Sequence, residues 1–373
     1  MTPTEYYDLV VVGGGPAGAA FVRTFMDRGG DARVLVLERA KFPRDKTCGD
    51  ALTHASVPLT LEIFPSLQGA LPTQNHTRRY TLYYDEKVRL RRHDQRLDVI
   101  PRRTYDTLLW RSLDGGAEAV RLAEGCRVKR LLKDNGRVGG LVYRQDGQDY
   151  QVRSNVVVGA DGSLSLVRRE TGTLDNDRRV TAVRQYVRGI PKCEDGLVFM
   201  VDSANHGYFW FFPFERDGER WANMGCGSLL SSVNPRQQFE RFLRKEVVQH
   251  YIGAGQLEGS IKGAPLNLAL TRFNRIRLAR QLAGDGYVLL GDAAGLVHPH
   301  TGEGIAAALH SGRLAAELLA SGACPKTIST EYERGMLEFA HGCYQLSKTA
   351  LAFHLPFILP KSFRALLERM HRL

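Results

Sequence analysis

Three glycines near the N-terminus have the spacing of a turn that holds a phosphate group. Gly13, Gly15 and Gly18 give the pattern G-x-G-x-x-G directly after the apolar run of residues 7–12. Such a run predicts a strand buried in a parallel sheet. Glycine then allows a tight turn, a close approach of the backbone to a pyrophosphate, and close packing of a helix on the strand. The spacing therefore predicts a dinucleotide site rather than a turn without function.

The residues that follow the glycines fit the same site. Pro16 and Ala17 open a predicted helix, whose N-terminal N–H groups favour a bound phosphate. A second strand is predicted over residues 33–37, and it ends at Glu38, 20 residues past the last glycine. An acid at this distance binds the hydroxyl groups of a ribose. Arg39 beside it is included among the predicted cofactor-binding residues.

A loop with a thiol comes next. The stretch FPRDKTCGDAL, residues 42–52, carries a basic run and then Cys-Gly-Asp. Because ordering such a loop costs conformational entropy and buries little surface, its composition indicates contact with a ligand. Arg44 and Lys46 are either solvated loop charges or phosphate contacts. Cys48 is either a reactive group or a small packing residue, since buried cysteines are usually inert.

Three later stretches suit a long dinucleotide that contacts the sheet edge at both ends. IPRRTYDTLLWRSL, residues 100–113, puts basic residues just before a helical pattern. VVVGADGSLSLVRR, residues 156–169, runs from an apolar strand into Ala-Asp-Gly. YVLLGDAAGLVHPHTGEGIAAALHSGRLAAELL, residues 287–319, is an apolar strand ending in Gly-Asp, then a Pro/Gly loop and an alanine-rich helix. A plain nicotinamide dehydrogenase requires none of these.

Together these motifs resemble the FAD enzymes built like the aromatic hydroxylases. The resemblance implies an α/β fold: a Rossmann-type FAD-binding domain with an inserted antiparallel β-sheet substrate domain and a helical C-terminus. It implies that R-x-x-Y-D places Arg102 at the pyrophosphate, with Arg103 as a rival, and that Asp292 binds the ribose beside it. The residues to which it assigns cofactor contacts are Arg102, Asp161, Gly162, Gly291, Asp292, Pro299, Gly302, Gly304 and Ile305.

Within that group, FPRDKTCGDAL is similar to the loop of the geranylgeranyl reductases, which reduce C=C bonds in isoprenoid chains. GYFWFFPF, residues 207–214, resembles their aromatic signature, with Tyr208 and Trp210 matching, and the catalytic residues predicted from this resemblance are Cys48, Tyr208 and Trp210. The resemblance implies that Cys48 and Gly49 lie beside the isoalloxazine, where Cys48 could donate the proton that complements hydride from flavin N5. In that signature a lysine usually follows Phe-Pro, and here Phe214 takes its place. This favours a lipid, a quinone tail or another apolar substrate over a prenyl diphosphate.

The motifs predict how the chain is divided. Residues 1–75, 97–175 and 272–340 are expected to form a discontinuous FAD-binding domain, and residues 76–96 and 176–271 a substrate-binding domain. Residues 78–94 alternate in polarity as an antiparallel strand pair would. The apolar pattern of residues 235–253 predicts one amphipathic helix. Residues 341–373 are expected to form a helical C-terminal segment.

Composition limits the partners. The chain has 373 residues, a formal net charge of +11 and six widely spaced cysteines. No ligand spacing for a metal and no signal peptide is found, so we expect a reduced, cytoplasmic protein. The basic residues are dispersed among acids, so nucleic acid is not expected. The basic, amphipathic residues 361–373 predict either peripheral contact with a membrane or packing on the protein's own surface.

Two other functions stay open from the sequence. A flavin monooxygenase, acting on a small molecule or a protein side chain, shares the scaffold, and fold does not fix chemistry. A flavin-binding redox sensor or scaffold without turnover is the non-enzymatic alternative. For the reductase, the electron donor is expected to be NAD(P)H or a protein carrier, because no second G-x-G-x-x-G marks a separate nicotinamide domain.

Overall fold

A computed structural model describes most of the chain. The described residues are 4–28, 32–72, 75–84, 87–92, 96–113, 119–172, 179–202, 207–228, 232–267, 270–272, 275–277, 281–298, 301–323 and 325–343. The predicted C-terminal helix of residues 361–373 and the predicted cofactor residue Pro299 therefore lie outside the described residues.

The elements alternate between strands and helices in the N-terminal part and are mostly strands in the middle. The strands are β1 (Glu5–Val12), β2 (Val34–Glu38), β3 (Ala51–Leu52), β4 (His76–Thr77), β5 (Tyr80–Tyr84), β6 (Lys87–Arg92), β7 (Leu97–Val99), β8 (Val120–Glu124), β9 (Arg127–Asp134), β10 (Arg137–Gln145), β11 (Gln148–Gly159), β12 (Arg179–Arg188), β13 (Leu197–Asp202), β14 (Gly207–Arg216), β15 (Glu219–Ser228), β16 (Gln256–Asn267), β17 (Leu270–Arg272), β18 (Arg275–Arg277), β19 (Ala283–Gly284) and β20 (Tyr287–Leu289). The helices are α1 (Pro16–Asp27), α2 (Ser56–Ile63), α3 (Arg102–Arg111), α4 (Leu166–Thr171), α5 (Pro235–Leu243), α6 (Glu246–Ile252), α7 (Ile305–Ala320) and α8 (Pro325–Cys343).

An eight-stranded sheet carries the nucleotide-binding motifs. Its order is β19-β20-β11-β1-β2-β8, and β10 and β9 continue from β11. The central pairs are parallel, with Val12 opposite both Leu37 and Gly159, and Gly159 opposite Leu289. Parallel strands that end in register bring the segments after them to one sheet edge, which is where ligands bind in such folds. The glycine turn, the Asp-Gly segment and the Gly-Asp segment all begin there.

Two helices pack together beside this sheet. Glycine at position 312 lets α7 approach α1, since a Cβ there would lie 2.3 Å from the carbonyl oxygen of Ala17. Farther along, Arg28 pairs with Glu317 at 2.7 Å. The two helices therefore run in the same direction. Their N-termini, which carry partial positive charge, both point to the sheet edge where the motifs meet.

A seven-stranded sheet forms a second layer, in the order β16-β12-β15-β14-β13-β5-β6. One of its faces is buried by α5 and α6, through Phe239, Phe242 and Tyr251. The other face turns to the loop that carries Cys48. The strand pair predicted over residues 78–94 is confirmed, because β5 and β6 are antiparallel and β5 joins β13. The division into domains at the predicted residue boundaries stays a prediction.

One predicted element differs from the structure. Residues 235–253 form two helices, α5 and α6, rather than a single amphipathic helix. The helix breaks because Lys245 is extended, with φ −72° and ψ 134°, and caps the second helix. The apolar face still forms, since Phe239, Phe242 and Tyr251 are buried. Among the described helices, none has the length and apolar character needed to cross a membrane.

Candidate functional site

Two glycines of the turn are required by close packing, and the third leaves space for a ligand. A Cβ on Gly13, whose φ is +110°, would lie 2.3 Å from the carbonyl oxygen of Ala160, and one on Gly18 would lie 2.0 Å from the carbonyl oxygen of Gly13. At Gly15 the nearest atom to an added Cβ is Arg44 Nη2, at 3.6 Å. Gly13 and Gly18 are thus required by close packing, while Gly15 faces space below a guanidinium. Pro16 and Ala17 follow directly as the first residues of α1 and are buried.

Glu38 lies where the predicted ribose contact should be. Its carboxylate is almost fully buried and accepts hydrogen bonds from the backbone N–H of Gly14 and of Ala40, both at 3.0 Å. These two bonds fix the orientation of the carboxylate at the end of β2. Arg39, the next residue, is exposed.

Arg44 lies over the glycine turn, with its guanidinium next to Gly15. It lies 2.9 Å from Asp106 and 3.5 Å from Glu38, so its charge is shared between two carboxylates. Its buried Nε is the atom that lies 3.5 Å from Glu38 Oε1, without a hydrogen bond, and its Nη2 is nearest to the open space at Gly15. A diphosphate between the N-terminus of α1 and this guanidinium would accept a hydrogen bond from Nη2, so the residues present fit the pyrophosphate of a dinucleotide.

Arg102 is held differently from Arg44. Its Nε and Nη2 donate to the two carboxylate oxygens of Asp106, at 2.6 and 2.7 Å, and the side chain is buried. Burial alone would lower the pKa of the guanidinium, but Asp106 and the neighbouring Cys48 sulfur raise it. Arg103 is exposed. The assignment of Arg102 or Arg103 to the pyrophosphate stays a prediction, and Arg44 is a third candidate.

The Asp-Gly segment braces its own loop. Asp161 accepts hydrogen bonds from Ser165 Oγ at 2.5 Å and from the backbone N–H of Leu166 at 2.7 Å, at the start of α4. Burial nevertheless raises the pKa of Asp161 above its usual value. Gly162 has a φ of +78°, which a residue with a side chain rarely adopts. This pair therefore shapes the turn that leads to Ser163 at the site.

Asp292 lies at the other end of the site. Its carboxylate lies 3.3 Å from Lys46 Nζ and accepts a hydrogen bond from Ser163 Oγ at 3.3 Å. Burial acts to raise the pKa of Asp292, but Lys46 and Arg102 outweigh it, so this carboxylate stays ionised. Gly291 before it donates its N–H to Ser311 Oγ on α7 at 3.0 Å. Asp292 is thus a fixed, charged acceptor, as a ribose contact requires.

The loop that precedes α7 is held from two sides. The hydroxyl of Tyr208 donates to the carbonyl oxygen of Thr301 at 2.7 Å, and Thr53 Oγ1 hydrogen-bonds to Glu303. Gly302 has a φ of +73°, and an added Cβ would lie 3.4 Å from the Tyr208 hydroxyl. Gly304 then caps α7, which begins at Ile305. Within the loop, the N–H groups of Thr301 and Gly302 donate to His298 Nδ1 and to the His298 carbonyl oxygen, so the turn is also held by its own hydrogen bonds.

The Cys-Gly-Asp loop lies between the two sheets. Cys48 is half-buried, and its sulfur is near both Arg102 and the hydroxyl of Tyr208, whose pKa burial and Cys48 raise. Gly49 packs on the second sheet, where an added Cβ would lie 3.1 Å from the ring of Phe212 and 3.4 Å from Trp210 Nε1. The predicted catalytic residues Cys48, Tyr208 and Trp210 are thus brought together around this loop.

The aromatic strand β14 uses both faces. Phe209 and Phe211 face α5 and α6 in one apolar cluster, while Trp210 and Phe212 face the Cys48 loop in another. Tyr208, which is partly exposed, packs against the second cluster. One face of the strand therefore belongs to the apolar core, and the other lines the space beside the Cys48 loop.

Sequence analysis missed two polar residues beneath the loop. Asp50 follows Cys48 and Gly49, is fully buried, and binds Tyr186 and Asn223. The available signal for Asp50 was the carboxylate within Cys-Gly-Asp itself. For Asn223 the signal was a lone amide within the otherwise small and apolar run WANMGCGS.

The chain is similar to known proteins over most of its length. A model of the FAD binding domain matches residues 6–341. Digeranylgeranylglycerophospholipid reductase 2 of Methanopyrus kandleri is 31% identical over 333 residues, covering 84% of this chain and 77% of the relative. Menaquinone reductase of Mycolicibacterium smegmatis is 29% identical over 364 residues, covering 88% and 81%. A geranylgeranyl bacteriochlorophyll reductase-like protein of Thermoplasma acidophilum shares the fold, with a TM-score of 0.77, 22% identity and coverage of 97% and 90%.

Proposed function

The chain belongs to the geranylgeranyl reductase family of FAD-dependent oxidoreductases, and from that premise we propose that it reduces C=C bonds of an isoprenoid lipid or a prenylated quinone. The observation that carries the proposal is the position of the Cys48 thiol. It lies between a buried guanidinium and the aromatic face of the second sheet, next to the predicted flavin site. A thiol in this place can serve a reaction that needs one proton and little water.

Saturation of an alkene adds a hydride to one carbon and a proton to the other. FAD, when bound and reduced, would supply the hydride from N5, and the hydride carries both electrons. Cys48 donates the proton from Sγ to the second carbon, next to the guanidinium of Arg102. Water then returns a proton to the sulfur. NAD(P)H or a protein carrier replaces the two electrons after each turnover.

The aromatic face positions the substrate. Tyr208, Trp210 and Phe212 form an aromatic wall beside the Cys48 loop. This wall suits a hydrocarbon chain and excludes water from the thiol. The hydroxyl of Tyr208 already donates a hydrogen bond to the carbonyl oxygen of Thr301, so this residue closes the site and is not a second proton donor.

Cofactor contacts are proposed for Gly15, Glu38, Arg44 and the residues of the Asp292 region.

The substrate class is supported by one further position. Phe214, which replaces the usual lysine, is buried against Tyr186 and Trp221, so the side chain at this position offers no cation to a diphosphate. The names of the two curated relatives refer to a digeranylgeranyl phospholipid and to menaquinone. Both molecules carry long isoprenoid chains with several alkenes, and neither carries a diphosphate. We propose the same kind of substrate for this chain.

An anaerobic half-reaction tests the proposal. The bound flavin is reduced with dithionite, and its absorbance near 450 nm is followed while a digeranylgeranyl phospholipid or a menaquinone in detergent is added. Reoxidation with a mass gain of two hydrogens per double bond supports alkene reduction. Menaquinone is compared with its hydroquinone, because reduction of the quinone ring would also reoxidise the flavin. A flavin that stays reduced with every substrate until oxygen is admitted overturns the proposal and favours a monooxygenase.

A further inference from the structure

Asn223 connects the Cys48 loop to the second sheet through all of its polar atoms. Its Nδ2 donates to the carbonyl oxygen of Cys48 at 2.8 Å and to Asp50 Oδ2 at 2.7 Å. Its Oδ1 accepts from Trp210 Nε1 at 2.9 Å. The amide is completely buried on β15. Each donor and acceptor of this side chain is therefore used to hold the loop or the aromatic wall.

Asp50 holds the same loop from the other side. Its Oδ1 accepts from the backbone N–H of Arg102 at 3.1 Å, and its Oδ2 accepts from the hydroxyl of Tyr186 at 2.5 Å as well as from Asn223. Its own carbonyl oxygen accepts from the N–H of Ile100 at 2.9 Å. These bonds span α3 and two strands of the second sheet. They fix the residue that follows Cys48 and Gly49 relative to both layers.

The backbone of Asp50 is strained in a way that these bonds compensate. Its φ is +63°, a left-handed conformation that a residue with a side chain rarely adopts. Strain of this kind persists where surrounding contacts determine the conformation, and it is found at functional sites. The turn at Asp50 directs the preceding Cys48 toward Arg102 and Tyr208.

We propose that Asp50 and Asn223 are positioning residues that fix the Cys48 thiol for proton donation. They act through Cys48 and do not touch the substrate. The inference rests on the proposed function for its chemistry, but the fixed position of the thiol is a property of the protein itself. It can therefore be measured without turnover.

Chemical modification of Cys48 gives the first test. Wild-type protein with FAD bound is treated with iodoacetamide, and modification of the peptide that contains Cys48 is followed by mass spectrometry. The variants are Asp50→Asn, Asn223→Ala and Tyr186→Phe. Asparagine tolerates the same backbone conformation as aspartate, so Asp50→Asn removes the charge and leaves the turn. We expect each variant to change the modification rate by roughly tenfold, because the loop loses a buried hydrogen bond.

Tyr83→Phe is the matched control for Tyr186→Phe. The hydroxyl of Tyr83 on β5 is also hydrogen-bonded, to Tyr251 of α6 at 2.8 Å, but on the face of the second sheet that α5 and α6 cover. Its removal should leave the modification rate of Cys48 unchanged. Equal effects of Tyr83→Phe and Tyr186→Phe would show a general loosening of the sheet and would overturn the inference.

Double variants give the second test. In the anaerobic reoxidation assay, Asp50→Asn and Asn223→Ala should each slow the reaction, while Cys48→Ala with Asp50→Asn should be no slower than Cys48→Ala alone. Effects that multiply would overturn the inference, since the two residues would then act independently of the thiol. If no alkene is reduced but the modification rates change as expected, the proposed function fails and the positioning of Cys48 stands.

Discussion

Lys46 Nζ lies 3.3 Å from Asp292 Oδ2, although 246 positions separate the two residues in the chain. The ion pair joins the Cys48 loop to the segment that starts the second half of the predicted cofactor site. The side chain of Asp292 is mostly but not fully buried, and that of Lys46 is partly exposed. The lysine therefore stabilises a carboxylate that burial alone would tend to neutralise.

We expect Lys46→Met to weaken FAD binding more than it weakens the fold. Partly exposed ion pairs contribute only about 0–1 kcal/mol to the free energy of unfolding. Loss of the cation leaves Asp292 without its partner at the ribose end of FAD, and should raise the dissociation constant roughly tenfold, as for one charge-assisted hydrogen bond. Flavin retention on dialysis and urea unfolding of the same samples measure both effects. A large loss of stability with unchanged FAD affinity would show that Lys46 is structural.

Arg44→Met should weaken FAD binding more strongly than Arg103→Met. Arg44 covers Gly15 and has a buried Nε without a hydrogen-bond partner, whereas Arg103 is exposed at the start of α3. Charge-assisted hydrogen bonds contribute about 1.5–3 kcal/mol, so we expect a loss of affinity of roughly 10- to 100-fold for Arg44→Met. Titration of the FAD-free protein with FAD, followed by fluorescence quenching, checks this. The reverse order would assign the pyrophosphate to Arg103.

Gly49→Ala should slow alkene reduction without removing FAD. The added Cβ would lie 3.1 Å from Phe212 and 3.4 Å from Trp210 Nε1, so the loop or the aromatic wall must shift by a few tenths of an ångström. Small displacements of a reacting group reduce rates steeply, up to about 10²-fold for 1 Å. We expect a fall of about tenfold in the anaerobic reoxidation rate. Gly263→Ala, at an exposed position of β16 where an added Cβ would make an ordinary contact 3.4 Å from Val183, is the control for expression and folding.

The sequence predicted the first sheet and its motifs well because each motif is local. Gly13 to Gly18 and Glu38 lie within two adjacent strands and one helix, so spacing along the chain corresponds to spacing in the fold. Asp50 and Asn223 could not be paired in this way. They are 173 positions apart, and only the packing of the second sheet on the loop brings them together. The break between α5 and α6 was missed because the apolar pattern continues across Lys245.

Asp50 should make the stability of the protein depend on pH between about 4 and 6. Burial raises the pKa of Asp50 to about 6, although Tyr186, Arg184, Asn223 and the Arg102 N–H oppose this. The folded protein thus binds a proton more tightly than the unfolded chain does, so the free energy of unfolding falls as pH rises through this window. At neutral pH the loss is about 3 kcal/mol, at about 1.4 kcal/mol for each pKa unit.

The comparison of wild type with Asp50→Asn isolates this contribution. Asparagine does not titrate, so the stability difference between the two proteins should shift in favour of Asp50→Asn as pH rises from about 4 to 6, and should then stay constant. Lost hydrogen bonds in the variant add an offset that does not depend on pH. Urea unfolding at half-unit steps of pH measures the difference. Parallel curves would show that Asp50 titrates in the same range in both states.

Phe214→Lys tests whether this position could ever serve a substrate phosphate. Phe214 is 5% exposed, stacks on Trp221 with ring centroids 6.4 Å apart, and contacts the edge of Tyr186. A lysine here would bury an unpaired ammonium and leave a cavity, so we expect the free energy of unfolding to fall by about 3 kcal/mol or more. Phe214→Leu, which keeps an apolar side chain, should cost only about 1 kcal/mol. The lysine variant could instead be as stable as wild type and bind geranylgeranyl diphosphate more tightly. In that case the side chain reaches an open phosphate site, and the preference for a lipid or quinone over a prenyl diphosphate would be a consequence of this single replacement.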